Sequence, residues 1–121
     1  MNTPAALYRQ GDVLLRALPA PQSLDGWRRR RSGVLVRGES GHTHILRERR
    51  GARLFEPRPT PPPPVLALPP GQPDPELLLE VAVETAHIDH PEHRTIPLPT
   101  GWYAIWFQRE QRDAGIGRVA D

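Results

Sequence analysis

Four of the five histidines in this 121-residue chain lie in two short segments, and histidine is the side chain best suited to chemistry near pH 7. The first segment contains His42 and His44, and the second contains His90 and His93. Side chains at positions i and i+2 of a strand share a face, so an extended first segment would place two imidazoles side by side. If the fold brings the segments together, they supply up to four nitrogen ligands for one metal ion.

We therefore predict a site for a divalent transition metal ion (zinc, iron, manganese or nickel) with the candidate ligands His42, His44, His90 and His93. Three ligands and an open position would suit catalysis, whereas four would suit a closed structural site. Glu92 is the candidate catalytic residue, as a general base or a carboxylate ligand, and Glu39 is a second candidate. The residues select neither a reaction nor a small-molecule substrate, so metal-assisted hydrolysis, oxygen chemistry and a non-enzymatic role all stay open.

Two further arrangements of histidine are compatible with the same residues. Without a metal, two facing imidazoles can act as general acid and general base. The fifth histidine, His87, is spaced to share a strand face with Asp89, so we expect that carboxylate to orient its ring as an outer partner of the site. The strand that carries His42 and His44 should also turn Leu46 to the same side and Ile45 to the other.

The distribution of charge suggests a second function. All 16 basic residues are arginine, and residues 1–60 hold 12 of them against 5 acidic residues, whereas residues 61–121 hold 4 against 9. One interpretation is that the two halves pack together and their charges compensate. The alternative is a non-enzymatic nucleic-acid-binding or mobile-element accessory protein, with Trp27 or Trp102 stacking on bases and phosphates bound by Arg28, Arg29, Arg30, Arg31, Arg47, Arg49, Arg50 and Arg53.

Composition excludes several classes of protein. The chain has no cysteine, which excludes disulfides, thiolate metal sites and cysteine nucleophiles. No apolar run is long enough to span a membrane, and residues 1–18 have no long apolar run and contain Arg9, Asp12 and Arg16, unlike a signal peptide. We expect a soluble, cytoplasmic bacterial protein without a membrane partner, and a homo-oligomer is compatible with the sequence.

Short apolar runs separated by proline and glycine predict an all-β fold. The predicted strands are 13–17, 33–37, 42–47, 52–55, 76–86 and 102–108, and residues 38–41 have the composition of a hairpin loop. Residues 8–12 are predicted as a turn, residues 23–32 as a polar loop, and Pro97 and Pro99 as a chain break. We predict one domain over residues 1–121, a small β-barrel or sandwich in which a cupin-like barrel is one option.

Residues 57–75 hold ten prolines, so this segment cannot be a helix or a central strand. We predict a long proline-rich surface loop, irregular or in the polyproline II conformation, within the single domain. A third functional reading follows from it, in which the protein is a structural module that a partner binds through this loop.

Two resemblances accompany these motifs. The segment 41–44 followed by Glu48 resembles the first motif of the cupin superfamily, in which a His-x-His pair and a downstream glutamate bind a metal inside a small barrel. The whole chain also resembles a family of small uncharacterised bacterial and phage proteins, which implies that the two histidine segments form a unit. The matching residues are 8–14, 38–39, 41–44, 90, 92–93, 96, 98–99, 101, 103, 108–110 and 118–121.

Overall fold

A computed structural model describes residues 6–37, 42–59 and 66–108, which form one curled, half-barrel sheet in which every strand pair is antiparallel. The eight strands are β1 (Leu7–Gln10), β2 (Val13–Leu18), β3 (Trp27–Arg30), β4 (Val34–Arg37), β5 (Thr43–Leu46), β6 (Ala52–Pro57), β7 (Leu77–Asp89) and β8 (Ile96–Phe107). The predicted all-β class is confirmed. The described part of the chain contains no helix that is long and apolar enough to cross a membrane.

The long strand β7 organises the sheet because it pairs with different partners along its length. Its first half pairs with β6 and its last residues pair with β5, while β8 lies along its other edge. The strand order is β1-β2-β8-β7-β5-β4. Strand β6 also pairs with β7, on the same edge as β5, and β3 pairs with β6. A seam therefore separates the β6 and β3 branch from the β5 and β4 branch.

A register irregularity in β7 between Val81 and Thr85 changes which side chains face inward. Before it, the odd-numbered residues Leu77 and Leu79 are in the main core, and after it Ala86 and Ile88 take that place. A strand alternates strictly between faces, so only an irregularity of this kind can exchange the two sets. The backbone oxygen of Gly51 accepts hydrogen bonds from the N–H groups of Ala82 and Val83 at this point.

Apolar residues form two clusters on opposite faces of the sheet. The main core lies inside the curl and includes Val13, Leu15, Leu54, Ile88 and Ile105. The outer cluster consists of Trp27, Phe55, Leu78, Ala104 and Trp106, and Leu66 and Leu68 of the proline-rich segment pack on it. The described part of that segment, residues 66–75, thus covers apolar surface instead of only linking strands.

Most predicted strands are confirmed, and three expectations are wrong. Residues 7–10 form strand β1 before the turn, and the polar loop predicted over residues 23–32 contains strand β3, whose Trp27 is buried. The paired strands β4 and β5 agree with the predicted hairpin, although its loop, residues 38–41, lies outside the described residues.

The third error concerns Pro97 and Pro99, which do not end a strand but lie inside β8. Both pair with β7 on one side, opposite His87 and Thr85, whereas β2 pairs only with residues 102–107 of β8. The other edge of β8 is therefore not paired with β2 at the prolines. A proline, which lacks an N–H group, is tolerated in a strand at such an edge.

Candidate metal centre

The fold brings together all four histidines that the sequence singled out. His44 lies in β5 and His42 directly precedes this strand, while His90 and His93 lie in the connection between β7 and β8. The His90 ring centroid is 4.3 Å from that of His44, 4.4 Å from that of His93 and 5.9 Å from that of His42. His90 is therefore at the centre of the cluster. As predicted, Leu46 is buried with His44 on one face of β5, and Ile45 is exposed on the other.

His44 is the buried member of the cluster, and Gln10 fixes the position of its proton. The Gln10 amide nitrogen donates to the carbonyl oxygens of Ile88 and Arg94, both at 2.9 Å. The amide oxygen must then be the atom that lies 2.8 Å from His44 Nδ1, so His44 Nδ1–H donates to it. In the neutral ring this places the lone pair on Nε2.

The lone pair of His44 Nε2 faces the turn between β1 and β2. Asp12 Oδ1 lies 3.4 Å from this nitrogen, and the Asp12 side chain is half exposed. Burial, together with the neighbouring His90, lowers the pKa of His44 from 6.5 to about 4, although Asp12 acts in the opposite direction. At neutral pH His44 is therefore an uncharged ring whose Nε2 acceptor points at a carboxylate oxygen.

Two of the other histidines, His42 and His90, are held by Glu92. His42 Nδ1 lies 2.9 Å from Glu92 Oε1, so the carboxylate can orient that ring and leave Nε2 as its second nitrogen. The backbone N–H of Glu92 donates to His90 Nδ1 at 3.0 Å, which commits that nitrogen as an acceptor. Burial, followed by the charge of His93, lowers the pKa of His90. Glu92, predicted as the catalytic residue, here positions two histidines.

Gly11, between Gln10 and Asp12, allows His93 to approach the turn. Its φ is +57°, a left-handed conformation that favours glycine. A Cβ added at Gly11 would lie 2.8 Å from His93 Nε2, so any larger residue would displace that ring. An open groove of about 450 Å³ leads to this side of the cluster between β1 and the start of β8, with Tyr8, Ile96 and Pro97 in its walls.

The cluster is not closed around an ion position. Within residues 6–37, 42–59 and 66–108, no group of three or more His, Cys, Asp or Glu side chains has the spacing of a preformed metal site. Part of the reason is that His90 Nδ1 accepts a backbone hydrogen bond and so does not point a free lone pair at an ion position.

The fifth histidine has a different partner from the one predicted. His87 Nδ1 lies 2.6 Å from one carboxylate oxygen of Glu48, and the His87 backbone N–H donates to the other at 2.8 Å. Asp89 instead pairs with Arg47 and accepts from Thr95. Glu48 therefore does not join the histidine cluster, so the cupin-like motif fails at its glutamate. Glu39 lies outside the described residues.

The arginine run lies on the edge strand β3 and just after it. Arg28 pairs with Glu56 at 2.8 Å, and Arg30 lies 3.7 Å from the same carboxylate. The side chains of the other two arginines of the run, Arg29 and Arg31, are exposed to solvent. Trp27 is buried, so it offers no open face for a base as the sequence suggested, whereas Trp102 is half-buried and stacks on Phe55. Arg47–Asp89 and Arg53–Glu80 are ion pairs between the basic and acidic halves, as one interpretation of the charge expected.

Gln10, Gly11 and Asp12 lie at the candidate site, but the sequence analysis assigned them to a turn and a family motif and not to the site. Their signal was a polar Gln-Gly-Asp triplet directly before the apolar run of β2. A buried glutamine is uncommon and therefore suggests a specific hydrogen-bonding role, but the burial of Gln10 is visible only in the folded chain.

Comparison with known proteins places the chain without assigning an activity. A family model described as a domain of unknown function, DUF8820, matches residues 9–108. The match includes the β1–β2 turn and both histidine segments. No curated protein and no solved structure matches the chain.

Proposed function

Because the chain belongs to the DUF8820 family, whose function is unknown, we propose from its own residues that it binds one divalent transition metal ion at the histidine cluster. His44 Nε2 and Asp12 would supply the first ligands, and His42, His90 and His93 the remaining ones. Zinc, iron, manganese and nickel all accept this mixture of imidazole and carboxylate.

The observation that carries the proposal is the pair His44 Nε2 and Asp12 Oδ1, which are 3.4 Å apart. Because His44 Nδ1–H donates to the Gln10 amide oxygen, Nε2 of the neutral ring is an acceptor like Asp12 Oδ1, and two acceptors repel each other unless a cation lies between them. Burial opposes a proton at this nitrogen. Two ligand atoms on a tetrahedral ion with bonds of about 2.1 Å lie about 3.4 Å apart, which matches the observed separation.

The surroundings of the pair support the same proposal. Gln10 orients His44 and Glu92 orients His42, as the outer partners of metal-binding histidines commonly do. For His90 to bind through Nδ1, its ring must give up the hydrogen bond from the Glu92 backbone. The groove beside His93 would give a small molecule access to an open coordination position. Metal-assisted hydrolysis and oxygen chemistry are both compatible with such a position.

The test is elemental analysis of the untagged protein, purified without a chelator or a metal column. We expect close to one ion per chain in the wild type and a loss of at least tenfold in metal affinity in H44Q. H87Q is the matched control, since it removes a histidine that Glu48 holds outside the cluster. Wild-type protein that takes up no metal, or equal losses in H44Q and H87Q, would contradict the proposal.

A second variant tests whether the orientation of His44 affects metal binding when no candidate ligand has been removed. Q10L keeps all four histidines but removes the group that holds His44 Nδ1–H, so we expect metal affinity to fall by about 10–100-fold. Circular dichroism at the assay temperature checks that Q10L remains folded. Unchanged affinity in folded Q10L would show that the orientation of His44 does not matter for metal binding.

A further inference from the structure

A second pocket lies in the seam between the two branches of the sheet, on the β6 and β5 side of β7. It has a volume of about 60 Å³ and includes five arginines among its lining residues, from three separate segments: Arg29, Arg30, Arg31, Arg49 and Arg53. Its apolar lining consists of the buried Leu46, Ala52 and Leu54 and the exposed Ile45. The arginine run of the sequence accounts for only three of the five cations, and the fold adds the other two.

The charge of this seam pocket is only partly compensated. Arg30 lies near Glu56 and Arg53 near Glu80, at 3.7 and 3.5 Å. Arg29, Arg31 and Arg49 form no ion pair with a carboxylate in residues 6–37, 42–59 and 66–108. Glu48 is the one acidic lining residue; both of its oxygens are engaged by His87, and its negative charge offsets one of the five arginine charges in the lining. An apolar base beneath uncompensated guanidinium groups strengthens their attraction for an anion.

We propose that the seam pocket binds a phosphate group. Guanidinium groups match the geometry of phosphate with parallel N–H donors, which makes arginine well suited to phosphate recognition. The volume is about that of two water molecules, so the pocket accommodates one such group and the rest of a larger ligand would lie outside. The pocket shares no lining residue with the histidine cluster, so phosphate binding can be tested separately from metal binding.

The test is an NMR titration of the ¹⁵N-labelled protein with inorganic phosphate at constant low ionic strength, repeated with chloride alone. Phosphate should produce saturable shifts at the backbone amides of Ser32 and Gly33, which line the pocket, and chloride should not. In R31Q/R49Q we expect phosphate affinity to fall at least tenfold. The matched control R37Q/R50Q removes the same charge from exposed arginines outside the pocket and should change affinity less than twofold.

The control separates a built site from general attraction to a basic surface. Absence of saturable shifts in the wild type, or equal weakening in both double variants, would overturn the proposal. A ten-nucleotide single-stranded DNA, followed by fluorescence anisotropy, then identifies the source of the phosphate. If the DNA binds more tightly than phosphate and R31Q/R49Q weakens its binding, the ligand is a nucleic-acid backbone. If R31Q/R49Q leaves DNA binding unchanged, the ligand is a small phosphorylated molecule.

Discussion

Two histidines of this chain show how a neighbouring side chain determines what an imidazole can do. His44 Nδ1–H donates to Gln10, while burial keeps the ring neutral, so the lone pair of Nε2 points toward Asp12. His87 instead lies against the Glu48 carboxylate, which also accepts from the His87 backbone N–H. The first arrangement suits a metal ligand, and the second ties β7 to the segment that follows β5.

The Glu48–His87 interaction should stabilise the protein in a pH-dependent way. Burial alone would raise the pKa of Glu48, but hydrogen bonds from His87 outweigh it and lower the pKa from its usual 4.5. Because the folded pKa is the lower one, the stabilisation is present above about pH 4.5 and is lost as the pH falls through the folded value. We expect E48Q to reduce the free energy of unfolding by about 1–2 kcal/mol at pH 7.

Urea denaturation of both proteins between pH 7 and pH 3 measures this effect. The difference between wild type and E48Q should shrink as the pH falls below 4.5. E84Q is the control, because Glu84 is an exposed residue of the same strand. A difference that stays constant with pH would mean that the ionised Glu48 carboxylate contributes nothing to stability.

Among the elements, β7 determines the orientation of the second histidine segment. Beyond the irregularity between Val81 and Thr85, even-numbered residues face inward, so Ile88 is in the core and His90 continues on that side. His87 and Asp89 consequently face outward. Gly51 stabilises the irregularity because its carbonyl oxygen accepts two β7 hydrogen bonds and its missing side chain leaves room for Val83.

Replacing Gly51 should therefore be costly. Its φ is +81°, and a Cβ there would overlap Val83 Cγ1, so G51A combines backbone strain with a steric clash. We expect a loss of about 3 kcal/mol in the free energy of unfolding. Gly71 has nearly the same φ, +80°, but open space around it, so G71A should cost only about 1 kcal/mol. Equal costs in denaturant titrations would exclude a role for the contact with Val83.

At the scale of the whole molecule, the sheet is covered on both faces, because its own curl encloses one and the proline-rich segment lies on the other. The Trp106 indole N–H donates to the carbonyl oxygen of Pro73, and Leu66 and Leu68 pack on the outer cluster. Residues 66–73 are therefore part of the packed structure, and removing them should expose aromatic side chains of the outer cluster.

The variant L66S/L68S tests this covering. Both leucines are half-buried, so we expect a combined loss of about 2 kcal/mol in the free energy of unfolding. Ala67 between them is exposed, and A67S should change stability by less than about 0.5 kcal/mol. Thermal unfolding of the three proteins decides the matter. If L66S/L68S melts with the wild type, the segment does not stabilise the outer cluster.

Local residue patterns were sufficient to predict the strand class and the candidate ligands. Alternation of apolar residues predicted most strands, because a strand needs only its own sequence to present one apolar face. Clustering of histidines at strand spacing predicted that His42 and His44 act together, and the inward orientation of His44 with Leu46 is confirmed. The same rules missed β1 and β3, whose short polar sequences become strands by pairing with β2 and β6.

Only the tertiary structure decided which groups meet. Strand alternation gave no reason for His90 to face His44, since the irregularity in β7 lies where β7 contacts Gly51 of another segment. The partners of His44, namely Gln10 and Asp12, are more than 30 positions away in the sequence, and the seam pocket combines arginines from three segments. A short-range sequence pattern predicts which side chains share a face of one strand, whereas a site depends on long-range strand pairing that brings side chains of several strands together.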